Sequence, residues 1–215
     1  LYSIYVTMVD TVNKYLLTDS FRLSTSIALS VAIFGAFATI YTQYCNLAIK
    51  IITLYAICDI PYTKIDFLLH HVCVLFFVSA DYLYDIDDVH MNYLKVQMLK
   101  VEYSTIFYNT RPLVLEYFSK TELNHWNPVM SNGFLLCFVA SFAKFRIYDY
   151  SVNIILREDN YNYDLYGGIV PYIHLILTEW VFYGLNLYWF QLIIFKMLDT
   201  SPKPRLGQFR REERA

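Results

Sequence analysis

Charge is the scarcest property of this chain: 17% of its 215 residues are Asp, Glu, Lys or Arg, against 57% hydrophobic ones. A soluble helical protein needs a charged face recurring at helical spacing, and the stretch from Ile27 to Ile40 has no charge on any face. Cysteine is also sparse. Cys45, Cys58, Cys73 and Cys137 lie in or beside apolar runs with no close pairing, which excludes a disulfide scaffold and a metal knuckle. No Asn-x-Ser/Thr sequon occurs, and the six glycines form no phosphate-cradling loop. There is no Gly-x-Ser-x-Gly elbow and no Cys–His pair at useful spacing, so covalent serine or cysteine catalysis has no support. Five histidines are too few for the repeated imidazole clusters of membrane di-iron enzymes, and no metal is expected. The net charge of −2 offers nucleic acid nothing beyond a basic C-terminal tail.

What is there is a series of long apolar blocks, at roughly 23–41, 44–60, 66–84, 93–111, 130–149 and 168–196. Each is near the roughly 20 residues a helix needs to cross the hydrocarbon. The expected fold is therefore an all-α, polytopic membrane helix bundle of about six transmembrane helices. The second block is the weakest, with Lys50 inside it and Cys58-Asp59 near its end. The last must tilt, break or emerge from the bilayer, with Gly184 as a candidate break. Lys203, Arg205, Arg210, Arg211 and Arg214 put the tail in the cytosol by the positive-inside rule, and an even number of spans puts the N-terminus there too. Lys64 and Lys120 agree; Lys95 and Lys100 dissent. The expected division is a lead-in at 1–21, which also reads as the end of a truncated preceding helix, a membrane domain at 22–198 and a basic cytosolic tail at 199–215.

Polar side chains inside such blocks are costly and tend to be functional. Asp66 and His70 stand four apart and share a helix face, while His71 is turned about 100° from His70. In the fourth block Glu102, Thr105 and Asn109 form one polar stripe, and in the sixth Glu179, Tyr183 and Asn186 form another. A carboxylate opposite an imidazole orients the ring for acid–base chemistry, and equally makes a structural interhelical bond. Glu179 is expected to pair with Lys144 or Arg146, or to be protonated.

Three pieces give the chain a resemblance to the TLC-domain family, which includes ceramide synthases and small lipid-homeostasis proteins. They are Asp66-Phe-Leu-Leu-His-His71, Glu102-Tyr-Ser-Thr-Ile-Phe-Tyr-Asn-Thr-Arg111 and Leu185-Asn-Leu-Tyr-Trp-Phe190. Phe142-Ala-Lys-Phe-Arg-Ile147 and Arg22-Leu-Ser-Thr-Ser26 add support. The resemblance implies helices ringing a lipid-sized cavity, in the endoplasmic reticulum, another endomembrane or the plasma membrane. His70 and His71 match the paired histidines of ceramide synthases. In the second motif of those enzymes, Glu102 aligns with the first Asp but Thr105 replaces the second, a departure that counts against ceramide synthesis. The pattern is closer to the small TLC-domain branch, linked to membrane phospholipid composition.

The leading expectation is thus a multi-pass protein of membrane lipid homeostasis, whose Thr105, Asn109, Arg111, Tyr183 and Asn186 meet lipid. The alternative is an acyl-coenzyme-A-dependent N-acyltransferase of ceramide-synthase type acting on a long-chain base. There, His70, His71, Glu102 and Asp66 are catalytic, and no cofactor is needed beyond acyl-CoA as co-substrate. A cargo receptor or translocon accessory is the third reading. Membrane lipids are the expected partners, nucleic acid is not, and a homo-oligomer stays open.

Overall fold

The computed structural model describes residues 19–63, 65–119 and 127–198, and of Asp19, Ser20, Phe21, Asp66, Ser119, Asn127 and Pro128 the backbone only. The expectations for the lead-in, Lys64, Lys120 and the basic tail fall on residues outside those described. Seven α-helical segments follow one another: α1 Asp19–Ile40, α2 Cys45–Asp59, α3 Ile65–Leu83, α4 Asp88–Lys100, α5 Glu102–Ser119, α6 Asn127–Ser141 and α7 Ile169–Leu198. A single turn residue, Val101, joins α4 to α5 as one rod, and α6 continues through two π-helical stretches, Phe142–Asp149 and Ser151–Ile155. Among the described residues this makes six rods and no strand.

The rods close a ring. α1 packs on α2, α2 on α3, α3 on α7, α7 on the π-helical continuation of α6, α6 on α5, and the α4–α5 rod returns to α1. Small residues let α1 come close to its neighbours: Ala32, Ala36 and Ala38 are buried. A Cβ on Gly35 would stand 3.1 Å from Cγ of Glu102. The joints 41–44, 84–87 and 156–168 share one end of the bundle, called here the loop end. The start of α1 and the finishes of α5 and α7 share the other, the tail end. At the loop end Asp87 caps α4, its Oδ1 accepting from the His90 amide at 2.8 Å, while its own amide donates to the Leu165 carbonyl at 3.1 Å. Gly167, at φ 72°, passes so close to Asp85 that a Cβ would lie 2.4 Å from the Asp85 carbonyl oxygen.

Among the described residues four stretches, Arg22–Ile40, Thr42–Tyr62, Val129–Ile155 and Ile169–Leu198, are long and apolar enough to cross a membrane. Only 11 to 28% of the residues in their most apolar windows are buried. Their apolar surface therefore faces outward, with Leu47, Leu54, Leu136, Ile173 and Leu177 all exposed. The expected similarity of the six blocks does not extend to the α4–α5 rod. Helix α3, Ile65–Leu83, is apolar over the described run Phe67–Leu83. The α4–α5 rod is more polar because it turns Lys95, Gln97, Ser104 and Asn109 into the bundle. The second block, expected to be the weakest, is among the four. Helix α7 runs 30 residues without a break at Gly184, whose missing side chain lies on an open face where no neighbour intrudes on the hydrogen-bond ladder.

The expected lipid-sized cavity is not what lies inside the ring beside the paired histidines. The interior space there, between His70 and Glu102, measures about 20 Å³, room for roughly one water. Phe77 and Val78 of α3, Met98 and Leu99 of α4, and Phe182 of α7 fill the volume around it.

Candidate functional site: a polar core inside the helix ring

Arg146 is the centre of the interior polar groups. It sits in the π-helical continuation of α6, 6% exposed, with its guanidinium 5.2 Å from the Phe142 ring. Its Nε donates to Ser104 Oγ at 2.7 Å, one terminal nitrogen to Thr105 Oγ1 at 2.8 Å and the other to Asn186 Oδ1 at 3.3 Å. Glu102, one turn before Thr105 on α5, lies within electrostatic reach of both Arg146 and His71. A planar five-donor fork suits this junction, because it spans two residues of α5 and one of α7 at once. A π-helical turn, which often marks a functional position, carries it.

His70 and Glu102 line the same interior space. The His70 ring lies 5.1 Å from Phe182 and 5.6 Å from Trp189, and Phe67 meets Trp189 at 5.6 Å, so aromatics fill the seam between α3 and α7. Nδ1 of His70 is buried without a hydrogen-bond partner, and so is Nδ2 of Asn186. Two donor-capable nitrogens left unsatisfied in an interior are uncommon and call for an explanation.

His71 turns elsewhere. Its Nε2 meets Asp59 Oδ2 at 2.8 Å, and its ring stands edge-on to Tyr55 at 6.0 Å. The acid that contacts this histidine thus comes from α2, instead of being Glu102. Asp59 closes α2 and His71 stands in the second turn of α3, so both lie near the joint between the two helices.

A family model described as TLC domain matches residues 4–195. The chain belongs to the TLC-domain family. With four helices of spanning length and composition, this TLC-domain chain is an integral membrane protein. No curated protein and no solved structure matches it.

Of the residues singled out in the sequence, the TLC-domain ring brings together His70, Glu102, Thr105 and Asn186. Asn109 is buried on α5 a turn beyond Thr105, outside the Arg146 hydrogen bonds. Arg111 donates to Ser131 of α6 at 2.7 Å; two residues past Asn109, it is about 200° around the helix from the inward stripe. Tyr183 stacks on Tyr150 at 6.0 Å, one turn from Asn186, in a layer closed by rings. The side chain of Asp66 is outside the described residues.

Glu179 loses one of its two expected arrangements, the pairing with Lys144 or Arg146; the protonated form is the one left. It is 2% exposed, and its Oε1 has no partner. Arg146 is taken up by α5 and Asn186, while Lys144 faces out and pairs with Asp149. Asp59, Ser104 and Arg146 were not singled out for the site from the sequence. The available signal was the basic residue at the centre of Phe142–Ile147, which the pairing with Glu179 misdirected.

Proposed function

We propose that this TLC-domain protein acts in membrane lipid homeostasis by receiving the polar part of a lipid at the Arg146 core. The single observation that carries the reading is the pair of unsatisfied nitrogens, His70 Nδ1 and Asn186 Nδ2, beside a guanidinium deep in an apolar ring. Polar groups at such depth are expensive to keep unless something uses them. The interior space is water-sized, so a headgroup enters by displacing the Phe182 and Trp189 rings along the α3–α7 seam. Glu102 and Thr105 hold Arg146 in register, and Asn109 lies next along the same helix. On this reading the tail end faces the cytosol of an endomembrane, in keeping with the basic residues beyond 199. The test is lipid mass spectrometry of membranes expressing the full chain or its His70→Ala variant. A changed lipid profile is expected; profiles identical at equal protein levels would overturn the reading.

A second reading is favoured by the Asp59–His71 contact, which fixes one imidazole ring beside a second imidazole. In acyl-CoA-dependent N-acylation, the amine nitrogen of a long-chain base attacks the thioester carbonyl. The new C–N bond forms as the C–S bond breaks, and the amine proton passes through His70 or His71 to the departing thiolate. Purified full chain, labelled acyl-CoA and a long-chain base give labelled amide if this holds, and the His70→Ala/His71→Ala variant gives none. No product from the wild type removes this reading and leaves the first standing.

A further inference from the structure

At the loop end, about two helical turns along the α4–α5 rod from the Ser104 that holds Arg146, lies a second hollow of about 350 Å³, lined by Thr42, Gln43, Cys45, Asn46, Asn92 and Val96. Its volume falls within the range of small-molecule sites. Four of the six lining side chains are hydroxyls or amides, able both to donate and to accept hydrogen bonds. No charged residue lines it. The neighbouring cation, Lys95, is 5% exposed and already shared between Asp81 Oδ2 at 2.8 Å and Asn46 Oδ1 at 2.9 Å. A phosphate or carboxylate placed here would find no unengaged cation among the lining residues.

The level of the hollow is marked by the aromatics that neighbour its lining residues in sequence. Tyr41 and Tyr44 of the α1–α2 turn, which also supplies Thr42 and Gln43, are exposed and group with exposed Phe37 in the last turn of α1, their ring centroids 4.5 and 5.9 Å from its own. Tyrosines at the end of a spanning helix sit at the headgroup level of a bilayer. We propose that this hollow is a binding site for an uncharged, polyhydroxyl lipid headgroup, of the glycosyl or glycerol class. Its hydroxyls exchange hydrogen bonds with Thr42, Gln43, Asn46 and Asn92, while its acyl chains run down the apolar outer surface of α1 and α2. The site is separate from the Arg146 core and goes beyond the function proposed above.

The test uses the full chain in phosphatidylcholine nanodiscs doped equally with monoglucosyl diacylglycerol and phosphatidic acid of the same chains, read by native mass spectrometry. The glucosyl lipid should be retained in preference. Gln43→Leu/Asn92→Leu, which leaves Lys95 and its partners alone, should lower that preference about tenfold, the equivalent of losing two ordinary hydrogen bonds. Val96→Trp, which fills the hollow, should abolish it, and the double variant carries the test should Val96→Trp fail to fold. His70→Ala should leave it unchanged, so that failure here and failure at the polar core read out separately. Equal retention of the two lipids, or a preference that survives the double variant, would overturn the proposal. So would displacement of the glucosyl lipid by free glucose as readily as by the intact lipid.

Discussion

Two buried cations organise this molecule, and they are treated differently. Lys95, at the loop end, contacts Asp81 of α3 and Asn46 of α2, and it ties three helices together through one ion pair and one hydrogen bond. Arg146, at the core, also gathers several helices, but the groups around it are incompletely satisfied, with nitrogens of His70 and Asn186 unpartnered. A paired and hydrogen-bonded buried charge is an architectural joint. A buried charge beside orphaned donors keeps hydrogen-bonding capacity in reserve, and that reserve is why the site is placed at Arg146.

The largest expected effect comes from breaking the architectural joint. Asp81→Ala leaves the Lys95 ammonium buried with one amide for company and should destabilise the fold by about 3–5 kcal/mol. Denaturant titration in detergent measures it, and Lys95→Met/Asp81→Leu should recover most of the loss. Next, Arg146→Met strands Ser104, Thr105, Asn186 and Glu102 together, for a loss of about 2–3 kcal/mol. Unlike the Asp81 variant, it should also change membrane lipid composition when expressed at matched folded levels. If both variants behave alike in the lipid assay, the contrast between joint and site is wrong.

A smaller change separates the two histidines. Asp59→Asn weakens the contact to His71, side chain 7% exposed, by about 1.5 kcal/mol. His70→Ala, which removes a ring with an unpartnered nitrogen, should cost less hydrogen bonding and more function, read by melting temperature and lipid profile side by side. The smallest effect belongs to the loop end and to pH. His90 is buried edge-on against Tyr166 at 4.7 Å in the first turn of α4, facing Asp87 on its own helix and Arg157 and Asp159 from the 156–168 joint. Burial first, and the Arg157 charge second, hold its pKa below the ordinary 6.5, against the pull of Asp87 and Asp159. The folded state thus binds this proton more weakly than the unfolded chain. Stability from His90 is full above pH 6.5 and is lost as pH falls from there through the lowered folded value. Melting temperatures measured across that window should slope downward toward acid, and His90→Gln should flatten the slope.

The fold was legible where hydrophobicity alone decides. Six rods and their approximate limits follow from blocks of apolar residues, because burying or lipid-covering those residues dominates the free energy. The tertiary ring was needed to show that the fourth block is the polar one, since a helix surrounded by others can turn Lys95 and Asn109 inward without meeting lipid. The inward polar stripe of α5 and the interior position of His70 were within reach of periodicity. The partner of each was not. Asp59, rather than Glu102, meets His71, and Arg146 meets α5 and Asn186, leaving Glu179 alone, because pairing across helices depends on rotation and height.

The amino-acid order by itself determined an all-helical chain of the TLC-domain type, with its costly polar groups on α3, α5 and α7. Only the packed structure decided which of those groups satisfy one another and how much room they leave. Helical period fixes the face a side chain occupies, whereas contact depends on the relative rotation, depth and separation of rods distant in sequence. That is why the interior beside His70 turns out water-sized and the larger hollow opens nearer the loop end.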